Sequence, residues 1–275
     1  MKFDLHTHSY FSDGSLSPEE MVAYAAERQI DYLALTDHDT VAGIERAEQS
    51  TELSSVNLIS GVEISALTDF GEIHIVGLNI DAKNSALQTA LSQQINKRWQ
   101  RAENISEKLE KLGCNGVFEQ LQKNVKNVAT RTHIAKTLVD MGYAKDMNQV
   151  FKIYLGKKGR IKVPKEWMPM EEAIGLIKQA GGIAVLAHPT RYPLSNRKLS
   201  LLIEQFKLEQ GDGIEMAYPS LTKDKIEWLE LHRNKNNLLA SSGSDFHYPD
   251  LNWRDMGRFP ILHESIPHVN SLLNI

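Results

Sequence analysis

Two imidazoles one residue apart, His6-Thr7-His8, stand where the apolar run Met1–Leu5 gives way to the polar turn Ser12-Asp13-Gly14-Ser15. On a strand, residues two apart point to one side, so His6 and His8 project together from a strand end. Imidazole nitrogens presented as a pair are ready ligands for a divalent metal. A lone His-x-His is as readily a pair of surface histidines, and recurrence decides between the two.

The pattern recurs along the chain. The apolar run Tyr32–Thr36 ends in Asp37-His38-Asp39, and Leu58–Val62 ends in Glu63. His74 sits among branched apolar residues in Glu72–Gly77, and Ile183–Ala187 ends in His188-Pro189. Leu238–Ser244 ends in Asp245-Phe246-His247, and Arg131-Thr132-His133 opens a helical segment. Seven of ten histidines occupy such places, while His232, His263 and His268 read as ordinary surface residues. Strand ends that collect His, Asp and Glu suit a parallel α/β barrel, where function gathers at the C-terminal ends of the strands. A donor set of nitrogen and carboxylate without thiolate favours Zn, Mn or Fe. Six histidines with Asp13, Glu63 and Asp245 are enough for two or three ions that share a carboxylate.

The elements that must carry these residues fall into two regimes. Residues 1–83 alternate strand and helix, implying a parallel sheet with helices outside. Ser17-Pro18-Glu19-Glu20 is a helix start, with Ser as N-cap and Pro at the first position, and a further helix spans Thr40–Leu53. Residues 84–165 break the rhythm. Leu87, Leu91, Ile95, Trp99, Ala102, Ile105, Leu109 and Leu112 recur at spacings of three and four, the mark of a long amphipathic helix. His133–Met141 and Met147–Tyr154 read as further helices. The β/α rhythm resumes with helix Met170–Gln179 and strand Ile183–Ala187, then Leu199–Leu208, Gly213–Ala217, Lys223–Asn234 and Leu238–Ser242. The expected organisation is one barrel from residues 1–83 and 166–275, with residues 84–165 as an inserted helical subdomain.

The 275 residues, 41% hydrophobic and 24% charged, are those of an ordinary globular protein. There is no apolar run of about twenty residues to span a bilayer. Met1 leads straight into a strand carrying a motif, which leaves no room for a signal peptide. The single cysteine, Cys114, excludes an internal disulfide framework and fits a reducing compartment. The expected location is the cytoplasm, with no membrane and no obligate protein partner.

Charge is uneven. Residues 97–165 hold 16 of the 31 Lys and Arg but 6 of the 35 Asp and Glu, a net of +10; the remainder holds 15 against 29, a net of −14. Glu103, Glu107 and Glu110 pair with helical neighbours, which accounts for part of the basic excess as solvated surface. Lys123, Lys126, Arg131 and the run Lys157–Lys165 remain. A basic cap beside an acidic metal site suits a phosphate-bearing substrate. Arg131 and Arg191 are the first choices for holding phosphate, with Lys162 next. Asp37 reads as a residue orienting a ligand, with a proton shuttle as the alternative.

Taken together, Asp4-Leu5-His6-Thr7-His8, Ser12-Asp13-Gly14, Thr36-Asp37-His38-Asp39, Gly61-Val62-Glu63, His74, His133, Ala187-His188-Pro189 and Gly243-Ser244-Asp245-Phe246-His247 resemble the polymerase-and-histidinol-phosphatase (PHP) family in order and spacing. The resemblance implies a distorted seven-stranded (β/α) barrel with three divalent ions, manganese first and zinc or iron as alternatives. It implies one ion on His6, His8, Glu63 and Asp245, a second on Glu63, His74 and His133, and a third on Asp13, His38 and His247. His188 matches a histidine near the metals, as a ligand or an acid/base. Tyr154-Leu155-Gly156, Val163-Pro164, His188-Pro189 followed by Arg191-Tyr192, and Gly211–Glu215 are similar to one bacterial branch of the family. Members of that branch are 3′,5′-nucleoside bisphosphate phosphatases and 5′→3′ exoribonucleases of the RNase AM type. The expected activity is metal-dependent hydrolysis of nucleotide phosphate esters, or of short single-stranded RNA from a 5′-phosphorylated end, by attack of a metal-bridged hydroxide on phosphorus. A histidinol-phosphate type phosphatase needs no basic cap, and a non-catalytic binding module needs no intact ligand set.

Overall fold

A computed structural model describes residues 1–52, 54–249, 255–273 and 275. Seven strands follow one another around a nearly closed sheet: β1 (Phe3–Asp4), β2 (Tyr32–Leu35), β3 (Asn57–Thr68), β4 (Gly71–Leu78), β6 (Ile183–Leu186), β7 (Gly213–Ala217) and β8 (Leu239–Ser242). The two-residue strand β5 (Met168–Pro169) pairs with β3 off this path. First and last strands meet: the Leu5 N–H donates to the Ser242 carbonyl at 3.2 Å, and Thr7 bridges to Phe246. Gly243 makes that approach possible, since a Cβ there would lie 2.4 Å from the Cβ of His6.

The alternation read from the sequence holds, with one difference in direction. β4 runs antiparallel to both β3 and β6, whereas the other neighbours on the path are parallel. The cause is local. β3 and β4 are joined by the two residues Asp69 and Phe70, too few for the crossover a parallel pair requires. The reversal brings the first half of β4 beside the last half of β3, so Ser65 lies opposite His74 and Glu63 opposite Val76. His74 therefore reaches the rim where the parallel strands end, although it lies early in its own strand.

Successive strand residues serve two cores, as a period of two requires. Ile75, Ala184 and Leu186 join the cluster containing Ile174 and Ile177 of α7 (Met170–Gln179) and Leu202 of α8 (Asn196–Leu208). Val76, Ile183 and Val185 face the other way, with Leu5, Ala34 and Val269. Val62 and Ile64 belong to the helix side. Glu63 between them therefore points inward, where every wall of the barrel can offer it a partner.

Between β4 and β5 the chain is helical. α3 (Ser85–Glu110) is followed by α4 (Val117–Asn124), α5 (Arg131–Asp140) and α6 (Met147–Val150), which runs on into a π-helical turn at Phe151–Leu155. The helices around α3 and α5 were expected; α4 was not, because its eight residues bury only Val117 and Leu121. α3 is shared. Its Leu87 and Leu91 pack with the barrel core, while Ala102, Ile105 and Leu109 join a separate core with Leu121, Leu138 and Val150. Cys114 is buried in that second core. α2 (Ile44–Thr51) begins four residues later than expected, and Leu53 at its expected end lies outside the described residues. His268 corrects the sequence reading: far from being a free surface residue, it packs its ring 5.0 Å from that of Phe3 and meets Ser242 at 3.2 Å. No described helix is long and apolar enough to cross a membrane.

Candidate metal centre

His6 and His8 follow β1 in an extended segment, and their Nε2 atoms lie 3.1 Å apart. His6 Nδ1 meets the Glu215 carboxylate at 2.7 Å, which turns its Nε2 toward His8. Around this pair stand the carboxylates. Glu63 lies 3.3 Å from His6 and 3.4 Å from His8, and Asp245 lies 3.5 and 3.2 Å from the same nitrogens. On its other sides Glu63 meets His38 at 2.8 Å, His74 at 3.0 Å and His188 at 3.0 Å. Asp13 meets His247 at 3.3 Å and His38 at 3.6 Å.

The turn that carries Asp13 is built for closeness. Gly14 would place a Cβ 2.0 Å from the carbonyl oxygen of His8, so only glycine fits. Asp37 holds this turn from below, accepting from Ser9 N–H at 2.8 Å, Ser9 Oγ at 2.6 Å and Ser12 Oγ at 2.7 Å. Both its oxygens are committed there, so Asp37 positions the turn. Asp39, His188 and Asp245 adopt positive φ of 50°, 28° and 54°, a region costly for residues other than glycine. Three strand-end residues held in that region show the rim closely determined by its surroundings.

The electrostatics are those of tightly coupled imidazoles and carboxylates. Burial opposes ionisation of Glu63, yet His38, His6 and His74 hold its carboxyl well below the usual range. Asp13 and Asp245 behave likewise, held down chiefly by His247 and by His6 respectively. Burial pushes His8 down to about 3, with His247 and His38 adding to it, whereas Asp13 and Asp245 overcome burial and lift His247 to about 10. Asp13 Oδ1, His38 Nδ1 and Glu63 Oε2 are buried and make close contacts without hydrogen-bond geometry, His38 Nδ1 and Glu63 Oε2 lying 2.8 Å apart. Unsatisfied acceptors and converging imidazole nitrogens are what a divalent cation satisfies, and the residues fit one. Among the described residues, three groupings hold donor atoms close enough to share an ion: His6, His8 and Glu63; His38, Glu63 and His74; and His8, Asp13, His38 and His247.

Beside the donors lies a cavity of about 120 Å³, lined by Asp13, His38 and His74 together with Arg98, Arg101, Arg131 and Trp167. It adjoins a groove of about 850 Å³ lined by Arg101, Arg131, Lys157, Lys162, Lys165, His188 and Arg191. Burial, with Arg131 beside it, brings Arg101 down to about 10. Its buried Nε has no partner. Glu72 is the carboxylate among these cations: against burial, His74 and then Lys165 bring it down to about 2.

The sequence profile of the PHP domain matches residues 4–244. The chain belongs to the PHP family. It is 43% identical over 93% of its length to the 5′-3′ exoribonuclease Rnm of Escherichia coli, covering 88% of that protein. It is 40% identical over 92% of its length to a 3′,5′-nucleoside bisphosphate phosphatase of Chromobacterium violaceum, covering 90% of it. A solved structure described as an amidohydrolase from C. violaceum, with bound sulfate and no metal, superposes at a TM-score of 0.92 with 37% identity, covering 100% of this chain and 96% of that one. A proposed metal-dependent phosphoesterase from Bifidobacterium adolescentis superposes at 0.82 with 26% identity, covering 99% of this chain and 94% of that one.

Within this PHP barrel most residues singled out from sequence are brought together, and three, His133, Lys162 and Arg191, are not placed as expected. Among the described residues His133 is in no grouping with Glu63 and His74. With Thr130 it forms a capping box at the start of α5, accepting the Thr130 N–H on Nδ1 at 3.3 Å. His38 takes the place beside Glu63 and His74. Lys162 turns its ammonium onto the carbonyls of Lys157 and Gly156 at 2.7 and 3.0 Å, bracing its own loop at the groove edge. Arg191 pairs with Asp245 and lies 5.1 Å above the Tyr218 ring. Asp37, as described, supports the Asp13 turn. Arg131, at the first position of α5, lines both cavity and groove. The residues missed are Arg98, Arg101, Glu72 and Trp167. The expected apolar stripe of α3 ran through Ile95 and Trp99, but the fully turned-in positions are Gln94 and Arg98.

Proposed function

We propose that this chain is a metal-dependent phosphoesterase that removes phosphate from nucleotides of the 3′,5′-bisphosphate kind. The same centre shortens 5′-phosphorylated RNA from its 5′ end. The observation that carries this reading is adjacency: Asp13, His38 and His74 of a buried cluster of imidazoles and carboxylates line the same cavity as Arg98, Arg101 and Arg131. The relatives named above act on substrates of this kind. The residues that would hold divalent cations are His6, His8, Asp13, His38, Glu63, His74, Asp245 and His247, with His133 and His188 beside them; manganese is the first choice, then zinc or iron. Bound there, such ions supply Lewis acidity and lower the pKa of water toward neutrality.

The chain's own residues set up the substrate. Glu215 fixes the ring of His6 through Nδ1 and receives the His188 N–H at 2.5 Å. Arg101 and Arg131 offer planar donors to phosphoryl oxygens. A substrate with phosphate on both sides of one nucleoside engages the donor cluster with one group and the guanidiniums with the other. A chain end enters such a recess more readily than the middle of a strand. The single buried Cys114 fits a reducing, cytoplasmic setting. The test is phosphate release from adenosine 3′,5′-bisphosphate, 5′-phosphorylated short RNA and histidinol phosphate with Mn²⁺ added. Preference for the first two is expected; preference for histidinol phosphate would overturn the nucleotide reading.

A further inference from the structure

Arg98 is 8% exposed and comes from α3, outside the β/α rhythm, yet it reaches the rim that carries the metal-binding candidates. Its Nε donates to Asp39 at 2.6 Å and its Nη2 to Ser65 Oγ at 2.7 Å. Each contact abuts the centre. Asp39 follows His38 in the chain and donates its own N–H to the Glu63 carbonyl at 2.9 Å. Ser65 lies opposite His74 across the β3–β4 hairpin, and its N–H donates to the second oxygen of Asp39 at 2.8 Å. One guanidinium thus ties the residue after His38 to the cross-strand partner of His74, with Glu63 between them on β3. Gln94, one turn earlier on the same face of α3, fastens the same place by donating to the Ser65 carbonyl at 2.8 Å. The Trp167 ring, 4.9 Å from the guanidinium carbon, closes the remaining side.

We propose that Arg98 is a positioning residue that sets the spacing of His38, Glu63 and His74, so that α3 is part of the metal centre's support. The proposal rests on reading that cluster as a metal centre. The guanidinium fork is what the position requires: a planar group reaches a carboxylate and a hydroxyl at fixed separation, which a single ammonium does not. Partners of this kind orient ligands, and their loss typically weakens metal binding by about ten- to a hundredfold.

The experiment is Mn²⁺ affinity by chelator competition, with Tm recorded in parallel, on the full chain and its variants. Arg98→Met strips both contacts but leaves Asp39 buried without its cation, so it also threatens folding. Arg98→Lys and Ser65→Ala leave no such charge and decide the case. Both are expected to bind Mn²⁺ about tenfold more weakly than the wild type. Leu91→Ala, which loosens α3 against the barrel away from Asp39 and Ser65, is expected to lower Tm while keeping wild-type affinity. Affinities of Arg98→Lys and Ser65→Ala within twofold of the wild type would overturn the proposal, as would an equal loss in Leu91→Ala. A wild-type chain that binds no Mn²⁺ would overturn the metal-centre reading and this proposal with it.

Discussion

Glu215 holds His6 through its Nδ1 and, with its other oxygen, the backbone N–H of His188. One carboxylate thus fixes a ring and a strand end at once. Glu215→Gln keeps the size but can accept with only one of its two terminal atoms, so either the ring or the strand end loses its anchor. Mn²⁺ affinity should fall about tenfold or more. Chelator competition measures this, and unchanged affinity would show that His6 orients itself by packing alone.

Glu63 touches five imidazoles, those of His6, His8, His38, His74 and His188. Glu63→Ala should lower both bound metal and turnover by roughly a hundredfold or more, since groupings on both of its sides lose a donor. Metal analysis of the purified variant beside its kcat is the check; full occupancy with near-normal turnover would exclude a shared carboxylate.

Lys157, Lys158 and Arg160 are exposed at or near the edge of the large groove. Neutralising all three should mostly raise KM for oligonucleotides and flatten its dependence on salt, while an aryl phosphate is hydrolysed as before. An unchanged salt slope would assign these charges to solvated surface.

Arg191 is paired with Asp245 and stacked on Tyr218, so its head is already aimed at the rim. Arg191→Ala should cost about 1.5–3 kcal/mol of transition-state binding, the range of a lost charge-assisted hydrogen bond. The companion measurement compares 5′-phosphate, 5′-hydroxyl and circular RNA of one sequence. Rapid cleavage of the first and resistance of the circle are expected; equal rates on all three would rule out recognition of the chain end.

His268 gives a pH dependence away from the centre. Burial lowers it from 6.5 to about 4, so the folded chain holds the ring neutral. The stabilisation is complete above pH 6.5 and is lost as pH falls from there through 4, because the unfolded chain then takes up a proton that the folded chain refuses. At about 1.4 kcal/mol per unit, the wild type should lose about 2 kcal/mol more than His268→Gln between pH 7 and 4.5. Urea unfolding at the two pH values measures the difference. Parallel losses would place the acid sensitivity elsewhere.

The strand ends were legible because each is a short apolar run closed by a metal-binding residue type, a local pattern that needs no knowledge of neighbours. Ser17 with Pro18 and Glu20 was legible as a helix start for the same reason, and the capping box is present. The direction of β4 was obscured by taking alternation of elements as the rule, although the two-residue link at Asp69-Phe70 carried the signal. Gln94 and Arg98 were hidden because a polar side chain on a helix reads as solvent-facing, and only the tertiary partners Ser65 and Asp39 make it an inward one. His133 was placed with Glu63 by resemblance, but its local helix start claims one of its nitrogens. No periodicity reports which of two roles a histidine at a helix N-terminus serves.

The sheet is closed by contact between its first and last strands, with Leu5 on Ser242 and Thr7 on Phe246. The order of synthesis therefore matters. His6 and His8 are made early, but the Glu215 that orients His6, the Asp245 beside both rings and the Gly243 that permits the approach come more than two hundred residues after them. The supports of His6 and His8 are thus complete only when the last strand arrives to shut the ring.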